Sequence, residues 1–263
     1  MYIIVQLNLH QVYKLLLISF RLIICTALNF KISDIEFHNI IEQMNMVGPG
    51  SLIISLTTAF FVSMVFTLQV AKEFLYLNAV SLIGAILTLA FIRELSPVLT
   101  SVILIGRVGS CFTAELATMQ VTEQMDALYL LNTNPILYLV IPRIISCVFM
   151  LPILTFLSFS TSIASSAFIC FTLYGIHPIT FFASSASSLS ITDLIKSLLK
   201  TIIFGFIISL ISCAWGLGTK GGAKGVGKST TASVVTSLLA IFILDFILSY
   251  LMFNKLDSSI KTL

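Results

Sequence analysis

The chain has 263 residues, of which 58% are hydrophobic and only 10% charged. Soluble domains carry roughly 25% charged residues, so a soluble enzyme, a disordered chain and a disulfide scaffold are excluded. The formal net charge of +3 is too small to imply nucleic acid as a partner. The apolar residues come in runs long enough to cross a bilayer, not in the alternating segments of about ten residues that a β-barrel shows. The chain reads as an all-α polytopic membrane protein with about five transmembrane helices.

Residues 1–46 form an N-terminal interfacial region. The apolar run 15–28, interrupted by Arg21, is short for a span of roughly 20 residues and reads as a helix lying in the interface. Ile35, Phe37, Ile40, Ile41 and Met44 then fall largely on one helical face. Gly48-Pro49-Gly50 is expected to break that helix. Residues 47–256 hold the spans, and 257–263 form a short tail.

Residues 52–70 make the first clear span. Residues 79–112 are overlong for one perpendicular helix; Pro97 is expected to kink them, and Arg93-Glu94 lie near their middle. A polar stretch runs over 113–134. Residues 136–173, with Pro142 and Pro152, form the third span, and the Ser-rich stretch 174–192 reads as a loop or a short surface helix. Residues 194–215 form the fourth span, with Trp215 as an interface anchor. Residues 216–231 read as a flexible Gly/Lys loop in which Gly225 and Gly227 allow a tight turn before the fifth span, 234–253. Five spans put the two ends on opposite sides. Lys14, Arg21, Lys31, Arg107, Arg143, Lys220, Lys224 and Lys228 fall on one set of connections, and Lys72, Lys196, Lys200, Lys255 and Lys261 on the other. That bias places the N-terminus, the 113–134 segment and the Gly/Lys loop inside.

Within the Gly/Lys loop, Gly222 to Ser229 fits the pattern G-x-x-x-x-G-K-[ST] of a phosphate-binding loop. Such a loop follows a buried strand of a soluble α/β sheet. Here it follows a membrane-length apolar run, so Lys228 is expected to belong to a basic loop at the membrane face. The five cysteines and three histidines are scattered with no CxxC pair, so neither a metal site nor a catalytic set is expected.

Two segments draw attention. In 113–128, Ala114, Ala117, Val121, Met125 and Leu128 form one helical stripe, with Glu115, Gln120, Thr122, Glu123 and Asp126 on other faces. This is an acidic helix on an otherwise basic side, read either as a solvated surface helix or as a docking helix. Separately, Arg93, Glu94, Lys200 and Asp245 each fall inside an apolar stretch. A charge at a span centre costs about 2.5–3.5 kcal/mol on insertion scales, so these groups must pair, face water or meet a substrate. Arg93 and Glu94 are adjacent and do not face each other on one helix; their partners must come from other helices, such as Lys200 or Asp245. Lys200 has a second option, to snorkel to the interface.

The runs Arg93-Glu-Leu-Ser-Pro-Val-Leu-Thr100, Gly106-Arg-Val-Gly-Ser110, Ala114-Glu-Leu-Ala-Thr-Met-Gln-Val-Thr-Glu-Gln-Met-Asp-Ala-Leu128 and Gly225-Val-Gly-Lys-Ser-Thr-Thr-Ala-Ser-Val-Val235 resemble the MlaE family of ABC-transporter permeases. The likeness covers roughly residues 47–253. Ser96 and Ala117 stand where that family usually has Gly, and Gln120 where a basic residue is common. The resemblance implies a permease subunit of an ABC transporter, in a plastid inner envelope or a bacterial inner membrane. It implies no cofactor of its own, ATP being bound by a separate ATPase subunit. The implied partners are that ATPase, an MCE-domain lipid-binding protein, a second copy of the chain and membrane lipid, with glycerophospholipid as substrate. It turns Glu115, Thr118, Met119, Thr122, Glu123, Gln124 and Asp126 into candidates for ATPase coupling, and Arg93, Glu94, Lys200 and Asp245 into candidates for the substrate path. Arg93 or Lys200 would meet a headgroup phosphate, with Glu94 and Asp245 balancing the charge near a central cavity. The competing reading is an ion or proton pathway through Glu94 and Asp245.

Overall fold

The computed structural model describes residues 37–253. The interfacial helix expected over 15–28 and the tail from 257 lie outside the described residues. Within them every element is helical and there is no strand. In chain order the elements are α1 (Phe37–Tyr76), a 3-10 turn (Val80–Leu82), α2 (Ile83–Ala90), a π-helical turn (Phe91–Leu95), α3 (Ser96–Leu104), a second π turn (Ile105–Gly109), α4 (Ser110–Val121), α5 (Gln124–Leu130), a third π turn (Ile136–Val140), α6 (Ile141–Tyr174), α7 (Pro178–Ser188), α8 (Ile191–Leu217) and α9 (Gly222–Phe253).

Five stretches among the described residues are long and apolar enough to cross a membrane: Phe37–Tyr76, Val80–Val121, Ile136–Tyr174, Ile191–Leu217 and Gly222–Met252. The expected spans are therefore present, and all are longer than expected. A helix satisfies every backbone group within its own segment when no water is at hand, which favours extending each span over adding irregular chain.

Three boundaries differ from expectation. Gly48-Pro49-Gly50 does not break the first helix; α1 runs through it. Gly48 serves close approach instead, since a Cβ there would lie 2.8 Å from Met150 Sδ. Helix breakers are tolerated in apolar surroundings where neighbouring helices take up the freed groups. The Gly/Lys segment is also not a loop: α9 begins at Gly222, so Gly225, Gly227 and Lys228 lie in its first turns. The turn falls earlier, and Gly221 and Gly222 make it with φ of +95° and +69°, values that favour glycine. Gly225 is seated against the Lys220 carbonyl, with no room for a Cβ. Finally, the acidic segment is not one helix. α4 ends at Val121, Glu123 takes φ +60° in the left-handed region, and α5 begins at Gln124.

The described chain divides into two compact units, and each long helical stretch supplies residues to both. The first comprises Leu104–Phe149, Gly205–Ala240 and the residues up to Val47. Its core holds Leu116, Met125, Val140, Ile144, Leu210 and Cys213. Helices approach closely at Gly205, where a Cβ would lie 2.7 Å from the Cys147 carbonyl oxygen. Small residues at such crossings are what let membrane helices gain dispersion contact. Hydroxyls supply the polar contacts: Thr113 Oγ1 donates to the Ser212 carbonyl at 3.0 Å and lies 2.8 Å from Ser233 Oγ. Trp215, expected as an interface anchor, donates Nε1–H to Thr236 Oγ1 at 2.8 Å.

The second unit comprises Gly48–Ile103, Met150–Phe204 and the residues from Ile241. Ile83, Leu87, Phe91, Phe159, Cys170 and Phe181 are buried in its core. The Ser-rich stretch takes the second of the forms expected for it, the helix α7, and Phe181 and Ser185 bury against α2. Gly84 makes room: a Cβ there would lie 2.5 Å from the Phe181 carbonyl oxygen. Thr67 donates to Ser166 at 2.7 Å, and Ser63 meets Ser165.

Candidate functional site

In the second unit Glu94, Lys200 and Asp245 meet in one cluster, and the neighbouring Arg93 pairs with Asp193. The π turn Phe91–Leu95 sits directly before Pro97. Pro97 has no N–H to offer the carbonyl four residues back, which is that of Arg93. Lys200, on α8, replaces it: Nζ donates to the Arg93 carbonyl at 3.1 Å. The same ammonium donates to Glu94 Oε2 at 2.9 Å and to Ser249 Oγ on α9 at 2.8 Å. Asp245 Oδ1, also on α9, lies 2.5 Å away as an ion pair whose angle does not make it a hydrogen bond. Phe204 covers the group, its ring centroid 6.0 Å from Nζ. Lys200 thus ties three helical segments together, and its side chain is 0% exposed.

The geometry corrects one expectation and meets another, that the partners of Arg93 and Glu94 come from other helices. Lys200 does not snorkel; each of its three protons has an acceptor within the unit, so the buried ammonium holds the π turn and α9 together. Arg93 takes its carboxylate partner from outside the expected set: Nη2 donates to Asp193 Oδ2 at 3.0 Å. Asp193 is buried in the first turn of α8, where its N–H bonds to Ser190 Oγ at 3.1 Å. The run Ser190-Ile-Thr-Asp193 has the S-x-x-D spacing that opens helices, and that signal marked Asp193 as fixed in place. Ser249 had no signal beyond lying four residues after Asp245.

Glu94 and Asp245 converge on one ammonium and do not lie on opposite faces. What the cluster leaves open is unequal. The Glu94 side chain is 43% exposed and that of Arg93 29%, against 19% for Asp245. A narrow cleft lined by Ile92, Ser96, Phe159, Leu194 and Ser197 adjoins the Arg93–Asp193 pair in sequence. It is apolar apart from its hydroxyls.

In the first unit the coupling candidates separate into exposed and engaged groups. Thr118, Thr122, Glu123, Gln124 and Asp126 are exposed. Met119 is half-buried against the core, and Met125 drops fully into it. Of the expected stripe, Ala117 and Met125 are buried; Leu116 and Thr113, which the stripe left out, are buried as well. Glu115 is engaged within the chain, its Oε2 accepting from Arg143 Nη2 at 2.7 Å. Gly227 and Lys228, in the first turns of α9, are exposed.

The fold defines the class: a multi-pass α-helical membrane protein whose membrane-length helices carry a paired cluster of charges. Comparison with known proteins narrows this. The Permease MlaE family profile matches residues 40–251. The probable ABC transporter permease protein ycf63 of Pyropia yezoensis is 54% identical over 203 residues, 77% of this chain and 77% of that protein. A probable ABC transporter permease protein of Synechocystis is 53% identical over 187 residues, 71% of each. The chloroplastic protein Trigalactosyldiacylglycerol 1 of Arabidopsis thaliana is 47% identical over 187 residues, covering 71% of this chain and 53% of that protein. The chain belongs to the MlaE family of permeases. The ion- or proton-pathway reading finds no support in these relatives.

Proposed function

We propose that this chain is the membrane permease subunit of an ABC transporter that moves glycerophospholipid between membranes. The observation that carries the reading is the charge cluster of the second unit, a polar group set within membrane-length apolar helices. A substrate with one polar end and apolar tails suits such a site; small polar solutes need a wetter path. Lys200 fixes the π turn and α9, and Arg93 and Glu94 present a partly exposed cation and carboxylate beside it. A phosphate and its substituent are the complement of that pair. The names of the relatives, permease proteins and a chloroplastic protein called after a diacylglycerol lipid, fit a lipid as substrate.

On this reading ATP is bound and hydrolysed by a separate ATPase subunit, which meets the exposed Thr118–Asp126 segment. Two copies of the chain form the permease, and an MCE-domain protein handles lipid beyond it. On this reading its home is the plastid envelope or a bacterial inner membrane, in keeping with relatives in Pyropia yezoensis, a cyanobacterium and a chloroplast. The test is purification of the chain from its own membrane in mild detergent, with mass spectrometry of bound proteins and lipid. An ABC-type ATPase and stoichiometric glycerophospholipid are expected. Absence of any ATPase, or proton flux through vesicles holding this chain alone, would overturn the proposal.

A further inference from the structure

Arg143 is, with Lys200, one of two buried cations among the described residues, and it lies outside the Lys200 cluster. It is the third residue of α6, directly after the π turn Ile136–Val140 and Pro142. Its side chain is 5% exposed. Among the described residues its guanidinium contacts α4. Nη1 donates to the Phe112 carbonyl at 3.2 Å, Nη2 donates to Glu115 Oε2 at 2.7 Å, and the guanidinium carbon lies 5.1 Å from the Phe112 ring centroid. Glu115 has its other oxygen occupied too, accepting from Cys111 Sγ at 3.4 Å. Both carboxylate oxygens are therefore used inside the chain, although the side chain is 41% exposed.

We propose that Arg143 is a positioning residue for coupling: it fixes the end of α4 so that the exposed turn Thr122–Asp126 meets the ATPase in one orientation, and Glu115 is its counter-ion, not an ATPase contact. This rests on the permease reading above. The physical ground is directionality. Leu116 and Ala117 are fully buried, yet apolar contact is non-directional and does not by itself set the rotation of α4 about its axis. A planar guanidinium with two donors on two fixed acceptors does. On the far side of the turn, Met125 is buried in the same core as Leu116 and Ile144. The turn at Glu123 is thus held from both ends, and displacement of it is passed to α6 through Arg143.

The test uses the complex of the chain with its co-purifying ATPase in vesicles of phosphatidylcholine carrying a dye-labelled phosphatidylcholine. Lipid transferred per ATP hydrolysed is read for wild type, Arg143→Lys and Glu115→Gln, together with ATPase recovery and Tm. Lysine keeps the charge but offers a point donor in place of the fork. The ratio should fall about fivefold or more for Arg143→Lys, in the range of ordinary coupling energies, and less for Glu115→Gln, with ATPase recovery and Tm held. Should Arg143→Lys not fold, Glu115→Gln, half-exposed, carries the test. An unchanged ratio in the variants overturns the inference. So does a fall in transfer matched by equal falls in hydrolysis and bound ATPase, which is a structural role only. Loss of ATPase recovery on Glu115→Gln alone would make Glu115 the direct contact. If no ATPase accompanies the wild type, the permease reading itself fails.

Discussion

The two units of this chain use charge in opposite ways. In the second, Lys200 is sealed and surrounded: three acceptors from two other helical segments and a fourth oxygen, Asp245, converge on it. In the first, the sealed Arg143 serves a single helix, α4, and the acids beyond it stand exposed on the turn that follows. The contrast teaches what each arrangement can do. Charges that meet at one cation lock helices and leave a small polar face, the Arg93–Glu94 edge, for something amphipathic. Charges on an exposed turn, with no ion pair among the described residues, are available to a second protein, where complementarity sets register.

Replacing the central cation should break the first arrangement most severely. Lys200→Met leaves two carboxylates and a carbonyl without their donor, and breaking a buried pair from one side costs about 3–5 kcal/mol. Thermal unfolding in detergent should show that loss, and Lys200→Met with Glu94→Gln and Asp245→Asn should recover much of it. Glu94→Gln alone keeps the shape and a neutral acceptor, so stability should drop by only about 1 kcal/mol. Lipid transfer should fall further than ATPase recovery does. On the other side of the comparison, Glu123→Gly should stabilise the chain by up to about 1 kcal/mol, because a non-glycine residue in the left-handed region is strained; equilibrium unfolding measures it. Glu123→Ala with Asp126→Ala should change stability by no more than about 0.5 kcal/mol, as exposed substitutions do, while ATP hydrolysis stops driving transfer.

Much of this was legible in the sequence because the bilayer makes errors costly. Five long apolar runs admit no fold but five helices, and four charges inside them had to be paired. What the chain alone did not show was where helices continue. Gly48-Pro49-Gly50 and Gly222–Ser229 have loop composition, but glycine there serves close approach to Met150 and to the Lys220 carbonyl. Composition cannot tell a glycine that bends from a glycine that packs. The acidic segment kept a helical stripe across Glu123 because periodicity carries no φ value, and the left-handed turn interrupts it. Asp193 does not stand out as a partner because it lies at a helix start, outside the apolar centre where charge is conspicuous; its spacing from Ser190 is the available sign. Glu115 shared the acidic face with the exposed candidates, and only the position of Arg143 on α6 separates it from them.

The central claim is that one cluster handles lipid and the other couples it to ATP. The most direct measurement is ATP hydrolysis, lipid binding and lipid transfer by the reconstituted complex, read in parallel for wild type, Glu94→Gln and Glu123→Ala/Asp126→Ala. The prediction is that Glu94→Gln keeps its ATPase and its hydrolysis but transfers little lipid. The double variant should bind lipid as wild type does and transfer none for the ATP it spends. Normal transfer by Glu94→Gln together with lost lipid binding in the double variant would contradict the account.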